Sequence, residues 1–291
     1  MSIFEKLFVL AQYPLPHHPL SRLMGVLTNC RNPALKNLFI RSIVKAYAVD
    51  LAEAAEPDPT AYATFNDFFT RALKPGARPI ASGQGVVACP ADGFMSQSGP
   101  ITSWRLIQAK GKDYGLVELL GGDEPRAAPF QGGSFATIYL SPRDYHRLHM
   151  PLAGTLREMV HVPGRLFSVN EATARGVPNL FARNERVAAI FDTEAGPMAL
   201  ILVGAIFVAS IETVWHGVIT PPTGTAVQNW NYRENYRDEP VRLERGDEMG
   251  RFKMGSTIVV LFGKDAVEWN AGLEPGRIMR MGEALGRVRD R

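Results

Sequence analysis

The first part of the chain has apolar residues at helical spacing. They are Ile3, Phe4, Leu7, Phe8 and Ala11. The pattern stops at Pro14. Two similar segments follow, over residues 20–27 and 33–55, and Asn32 is placed to cap the second of them. The spacing therefore predicts a helical region over residues 1–56.

Beyond this region the pattern changes to short apolar segments that are rich in β-branched residues and separated by Pro and Gly. The predicted strands cover residues 86–88, 135–140, 187–191, 199–209 and 258–262. Helices in front of many short strands are typical of an α+β protein. We therefore expect a mostly antiparallel β domain over residues 57–291.

Composition narrows the class of protein. The chain has 291 residues, of which 46% are hydrophobic and 21% are charged, which is ordinary for a globular protein. A net charge of +3 is too small to indicate nucleic-acid binding by itself. Cys30 and Cys89 form no CxxC motif, so we expect no disulfide framework.

Basic charge is concentrated in the predicted helices. Residues 1–49 carry six basic residues against the single acid Glu5. Amphipathic basic helices are suited to lying in a membrane interface, although a helical layer packed on the β domain would explain the pattern equally well. The longest apolar run, residues 198–211, falls short of the roughly 20 residues that a membrane-spanning helix needs.

Two polar clusters are candidates for chemistry. Asp92 lies in the turn Pro90-Ala91-Asp92-Gly93, where it either faces a partner or binds its own backbone. Asp144, His146 and His149 follow the apolar strand over residues 135–140. Histidine is suited to proton transfer near neutral pH. The segment lacks Cys and HExxH, so we expect no metal site.

A third candidate is the triplet Gly255-Ser256-Thr257 before the last predicted strand. A simple turn would explain it. A nucleophile elbow would not, because Met254 and Ile258 replace its glycines. A Ser-His-Asp hydrolase and self-cleavage of the Gly-Ser bond both remain possible.

Self-cleavage has a clear chemical logic. The serine hydroxyl attacks the preceding carbonyl and forms an ester through an N→O acyl shift. A base then removes the serine α-proton, and the carboxylate of the ester is expelled. The resulting dehydroalanine hydrolyses to a pyruvoyl group and ammonia. Gly255 has no Cβ, so its backbone tolerates the strain that the first step needs.

Several longer motifs occur together, in order. They are residues 65–69, 71–79, 90–93, 108–111, 139–151, 163–170, 179–186 and 250–257. In these motifs the chain resembles the bacterial phosphatidylserine decarboxylases of the shorter, membrane-associated type. Met254 departs from the leucine that is usual in that family, and we expect this apolar exchange to have little effect.

The resemblance implies a proenzyme that cleaves itself between Gly255 and Ser256. Ser256 would become the pyruvoyl group. His149 would be the base for cleavage, oriented by Asp92, with Asp144 as a second candidate for that task. The products would be a β chain, residues 1–255, and an α chain, residues 256–291.

In the mature enzyme the pyruvoyl carbonyl would form a Schiff base with the amine of phosphatidylserine and accept electrons as CO₂ leaves, giving phosphatidylethanolamine. We expect His146 to bind substrate and return a proton to it, and Ser168 to contact substrate. The family works as a peripheral protein at the cytoplasmic face of the inner membrane and commonly forms homodimers. A pyruvoyl decarboxylase of soluble amino acids, a Ser-His-Asp lipid hydrolase and an inactive β module remain alternatives.

Overall fold

The computed structural model describes residues 1–109, 111–207, 210–220, 225–233, 239–254 and 256–290. Its α-helices are α1 (Ile3–Gln12), α2 (His17–Thr28), α3 (Pro33–Tyr47), α4 (Phe65–Phe69), α5 (Leu116–Leu119), α6 (Glu124–Ala127), α7 (Glu171–Gly176) and α8 (Leu180–Arg183). A short 3₁₀ helix covers Ala128–Phe130.

The strands are, in chain order, β1 (Val86–Ala88), β2 (Gly93–Pro100), β3 (Arg105–Ala109), β4 (Lys112–Gly115), β5 (Ser134–Leu140), β6 (Arg147–His149), β7 (Gly154–Val162), β8 (Arg186–Thr193), β9 (Gly196–Val203), β10 (Ser210–Thr213), β11 (Gly217–Val218), β12 (Gln228–Asn231), β13 (Arg242–Leu243), β14 (Glu248–Lys253), β15 (Ser256–Phe262), β16 (Val267–Trp269), β17 (Ile278–Met279) and β18 (Ala284–Val288). Pairing between them is antiparallel, which confirms the α+β fold class.

The helix starts follow from local capping. Ser2 and Glu5 form a capping box at α1, and the Asn32 side chain accepts hydrogen bonds from two backbone N–H groups at the start of α3, as predicted. The predicted extension of α3 to residue 55 is wrong. Ala48 has a left-handed backbone, with φ of 51°, and ends the helix at Tyr47.

A large sheet forms the centre of the β domain, in the order β12-β7-β8-β9-β15-β5-β2-β17. Strand β15 lies between β9 and β5, and all of its residues are buried. The prediction of a strand over residues 199–209 was too long, and residues 208 and 209 lie outside the described part of the chain. Strand β9 ends at Val203, because the backbone of Gly204 instead bonds to Glu185 and to the Asn184 side chain.

The central sheet separates two hydrophobic cores. Ile258 and Val260 of β15 face one core, and Val259 and Leu261 face the other. A third, smaller cluster joins α3 to α4 and contains Phe68, Phe69 and Ile40, with Met254 packed against it. The helical region is thus attached to the chain segment just before β15. No helix in the described part of the chain is long and apolar enough to cross a membrane.

Candidate active site

Ser256 is the first residue of β15 and pairs with Leu140, the last residue of β5. Its side chain is fully buried, and its Oγ atom has no hydrogen-bond partner in the described part of the chain. A buried hydroxyl without a partner is costly. Gly255, on the other side of the expected cleavage point, lies outside the described residues.

Met254 brings strain close to this position. Its φ of 90° lies in the left-handed region, where a residue with a Cβ costs roughly 1–3 kcal/mol. Its side chain packs against the cluster formed by α3 and α4. The chain that enters β15 is therefore both strained and anchored.

The loop that follows β5 is held together by Asp144. Its Oδ2 accepts a hydrogen bond of 2.7 Å from the Ser141 backbone N–H, and its carbonyl oxygen lies 2.8 Å from His146 Nδ1. Burial raises the pKa of the Asp144 carboxyl to about 6. The side chain of Asp144 therefore shapes the loop, and its backbone orients His146.

His146 is fully buried, with its ring centroid 4.1 Å from that of Phe69. Burial lowers its pKa to about 3, so the imidazole is neutral at neutral pH. Nδ1 donates to the Asp144 carbonyl, which leaves the lone pair on Nε2, and Nε2 has no partner among the described residues. The His146 carbonyl accepts a hydrogen bond from Phe252 N on β14, close to the start of β15.

His149 lies on β6, and both of its ring nitrogens have partners. Nδ1 is 2.8 Å from the Gly246 carbonyl, and Nε2 is 3.0 Å from the Tyr145 hydroxyl. Because a carbonyl can only accept, Nδ1 carries the proton and Nε2 is the basic atom. Burial lowers the pKa of His149 and raises that of Tyr145 to about 12, so Tyr145 stays protonated and donates to Nε2.

Asp92 does not orient His149, which corrects the expected arrangement. Both carboxylate oxygens accept from Arg78, at 2.6–3.1 Å, and Oδ1 also accepts from Met281 N at 2.7 Å. The guanidinium fork matches a carboxylate better than one imidazole N–H does. Asp92 also does not bind its own turn, the other possibility. Asp144 does not orient His149 either, since both ring nitrogens of His149 bind other groups.

The turn that carries Asp92 is fixed by the next residue. Gly93 has a φ of 153°, and a Cβ there would lie 2.2 Å from the Tyr139 carbonyl oxygen. Only glycine lets β2 approach β5 this closely. The Asp92 backbone is thereby held beside the strand that pairs with β15.

Ser168 lies apart from these residues, beside a cleft of about 880 Å³. Its backbone N–H donates to the Gln12 side chain of α1, and the two residues that follow it line the cleft together with Phe94 and Tyr139. Tyr139 pairs with Thr257, next to Ser256. A substrate that enters this large cleft would lie close to Ser168.

Sequence reasoning missed several residues that shape the site: Arg78, Tyr139, Tyr145 and Gly246. All except Gly246 fall within motifs noted above, so the motifs marked their segments without marking their roles. Gly246 contributes only its carbonyl oxygen, which every residue has, and no sequence pattern could have identified it.

Comparisons with known proteins agree over nearly the whole chain. The family model described as phosphatidylserine decarboxylase matches residues 65–287, and a second model, described as PSD, matches residues 7–48. A protein of Stutzerimonas stutzeri is 58% identical over 98% of this chain and 95% of its own length. Proteins of Bordetella pertussis and Pseudomonas aeruginosa are each 60% identical over 98% of this chain, covering 95% and 98% of their own lengths. All three are named phosphatidylserine decarboxylase proenzyme, and the chain belongs to the phosphatidylserine decarboxylase family.

Proposed function

We propose that the chain is a proenzyme that cleaves itself between Gly255 and Ser256 and then decarboxylates phosphatidylserine to phosphatidylethanolamine. The observation that carries this proposal is Ser256 Oγ, which is buried without a partner at the start of the central strand. Met254, two residues earlier, adds backbone strain. A hydroxyl that will be consumed needs no permanent partner.

For cleavage, we assign the base to His149. Its Nδ1–H is fixed by the Gly246 carbonyl, so Nε2 has the lone pair that takes the Ser256 hydroxyl proton. Transfer to Nε2 requires the Tyr145 hydroxyl to move aside or to carry the proton, because it is bound to that atom. Asp92 acts at a distance, as a negative charge that raises the pKa of His149 against the lowering caused by burial.

The pyruvoyl group fits this position. Ser256 is its precursor, and the partnerless Oγ and the strained Met254 backbone suit a residue that is rebuilt after folding. When formed, the group supplies a carbonyl that condenses with the substrate amine and accepts the electron pair released as CO₂ leaves.

In this scheme His146 transfers the proton that decarboxylation requires. As a neutral imidazole with a free lone pair on Nε2, it cannot donate a proton at the outset. We infer that Nε2 first takes a proton from the ammonium group of the substrate and later returns it to the substrate carbon. Asp144 serves as a positioning residue, because its carbonyl fixes the His146 tautomer. Ser168 contacts the substrate beside the large cleft, since the two residues that follow it line that cleft.

The alternatives fit less well. A Ser-His-Asp hydrolase needs an acid on the imidazole Nδ1–H, but Gly246 holds that atom, and Asp92 binds Arg78. A decarboxylase of soluble amino acids would have no use for the apolar surface that α1 and α2 present to solvent. The exposed residues are Ile3, Phe4, Leu7, Phe8, Leu10, Leu23 and Val26.

This surface supports peripheral membrane binding at the cytoplasmic face of the inner membrane. Exposed apolar patches mark interaction sites, and exposed Lys6 and Arg22 on the same helices favour an anionic lipid surface. Lifting a diacyl lipid into water costs about 0.8 kcal/mol per CH₂. An enzyme that rests on the bilayer avoids that cost.

Replacing Phe4 and Leu7 with Asp tests this surface. Their side chains are 79% and 57% exposed, so folding should be unaffected, and flotation with anionic liposomes should fall several-fold. Val218→Asp, at a position that is 56% exposed on β11, is the matched control and should float normally. Unchanged flotation of the α1 variant would contradict membrane docking through this face. Point changes are preferable to deleting the helices, because Ile40 of α3 belongs to the cluster that holds Met254.

We further propose that the β chain, residues 1–255, and the α chain, residues 256–291, stay associated, and that the mature enzyme forms a homodimer, as the family resemblance implies. Association of the two chains is supported by β15, which is hydrogen-bonded to β5 and β9, both in the β chain.

The test of the proposed function is a denaturing gel with intact mass measurement of the purified protein, followed by an assay of CO₂ release from phosphatidylserine. We expect a small fragment with the mass of residues 256–291 and a blocked, pyruvoyl-bearing N-terminus. A single uncut chain that nevertheless acts on lipid would refute self-cleavage and favour a hydrolase.

A further inference from the structure

Arg71, two residues after the end of α4, is a buried cation that forms no ion pair within the described residues. It is 4% exposed. Its Nη2 donates to the Arg143 carbonyl at 3.0 Å, and its guanidinium lies 5.5 Å from the ring centroid of Phe68. Its Nε and Nη1 have no hydrogen-bond partner in the described part of the chain. Burying a charge in this way is costly unless something else binds it.

Arg71 lines a pocket of about 290 Å³, the arginine pocket, together with Arg78, Arg143, Arg280, Asp92 and Asp144. The other three arginines have acidic partners. Arg78 binds Asp92 and Glu53, Arg280 binds Glu53, and Arg143 lies 3.7 Å from Asp144. Asp92 and Asp144 attract Arg71 from a distance but form no ion pair with it. Within the described residues Arg71 is therefore the cation of this pocket that has no acidic partner in direct contact.

The arginine pocket adjoins the site. Arg71 binds the carbonyl of the residue before Asp144, and its charge contributes to the low pKa of His146. On α4, Phe68 contacts Arg71 while the next residue, Phe69, contacts His146. The pocket also borders the large cleft, because Arg143 stacks on the ring of Phe94, which lines that cleft.

We propose that Arg71 binds the phosphodiester anion of the lipid headgroup, an inference that rests on the proposed function. The substrate offers two anions, a carboxylate and a phosphate. A cation on the carboxylate would stabilise the ground state and lose its partner as CO₂ leaves, which would oppose the reaction. The phosphate keeps its charge throughout, so a cation there anchors the headgroup without that penalty. Two nitrogens of Arg71, Nε and Nη1, have no partner among the described residues, and a guanidinium binds phosphate well.

Binding can be measured without the pyruvoyl group, in the Ser256→Ala proenzyme. Glycerophosphoethanolamine is the probe, and ethanolamine and inorganic phosphate are titrated separately by calorimetry. We expect Arg71→Gln to weaken binding of glycerophosphoethanolamine at least tenfold, Arg71→Lys to weaken it less, and Arg289→Gln, a surface change at a residue paired with Asp265, to have no effect. Equal binding by the Arg71→Gln and Arg71→Lys proteins and by their parent would overturn the proposal.

The other titrations show which anion Arg71 binds. If Arg71→Gln weakens glycerophosphoserine but not glycerophosphoethanolamine, the ligand is the carboxylate and the proposal is wrong. If inorganic phosphate binds more tightly than glycerophosphoethanolamine, the site is not a headgroup site. In the cleaved enzyme, Arg71→Gln should raise KM for phosphatidylserine in micelles about tenfold, and a loss confined to kcat would refute the proposal. Because the binding arm needs no cleavage, it holds even if the proposed self-cleavage fails.

Discussion

Replacing Ser256 with Ala is expected to leave the protein entirely as one uncut chain with no decarboxylase activity. The variant lacks the oxygen that forms the ester, and no other side chain can become the pyruvoyl group. Alanine is smaller, but the Ser256 hydroxyl has no partner among the described residues, so its removal leaves no group unpaired. The loss is therefore chemical and not a folding defect. Denaturing gels and intact masses after prolonged incubation measure it.

Thr257→Val is the matched control for this change. Thr257 is the next residue of β15, is equally buried, and also has a hydroxyl without a partner in the described chain. Valine keeps its shape and removes that hydroxyl, and we expect normal cleavage. If Ser256→Ala protein still yields the small fragment, the cleavage point is elsewhere. If Thr257→Val stays uncut as well, the two hydroxyls act together and the assignment to Ser256 alone is wrong.

Replacing His146 with Gln should separate self-cleavage of the precursor from decarboxylation by the mature enzyme. We expect the precursor to cleave normally, because the proposed cleavage base is His149 on β6. Decarboxylation should fall about 10²–10⁴-fold, the usual loss when a proton-transfer group is removed. Glutamine roughly preserves the volume that packs on Phe69, so the cluster holding Met254 should survive. Fragment yield and CO₂ release, measured on one preparation, give the two readouts.

The control is His216→Gln, a change at an exposed histidine whose ring lies 3.4 Å from the Tyr232 hydroxyl. It should alter neither readout. An uncut His146→Gln precursor would show that His146 takes part in cleavage, and the division of labour between the two histidines would then be wrong. Full activity of a cleaved His146→Gln enzyme would remove His146 from the proton path.

The features that sequence predicted correctly are those set by local patterns. The helical start, the Asn32 cap and the apolar strand that follows Ser256 all follow from residue spacing and capping chemistry. The end of α3 was not predicted, because the left-handed conformation of Ala48 is unusual for alanine. Such a backbone state leaves no mark in composition.

The site was predicted as a set of residues but not as a set of contacts. Asp92, Asp144, His146 and His149 lie in or next to one region of the fold, yet the expected Asp92–His149 pair does not form. Arg78 competes for the carboxylate, and nothing in the sequence ranks one partner above another across a fold. Pairing depends on which side chains the tertiary structure brings within reach. Capping and periodicity describe local structure, so they cannot predict these long-range contacts.

The central place of β15 also bears on how the mature enzyme unfolds. In the precursor this strand belongs to the same chain as the rest of the sheet, so its detachment and re-pairing are events within a single molecule. If the bond before Ser256 is cut as proposed, unfolding frees two molecules, so recovery depends on protein concentration. The α chain then competes with other molecules for the place between β5 and β9. The unpaired edges of these two strands promote aggregation. The enzyme can therefore be assembled reliably only in the order of folding first and cutting second.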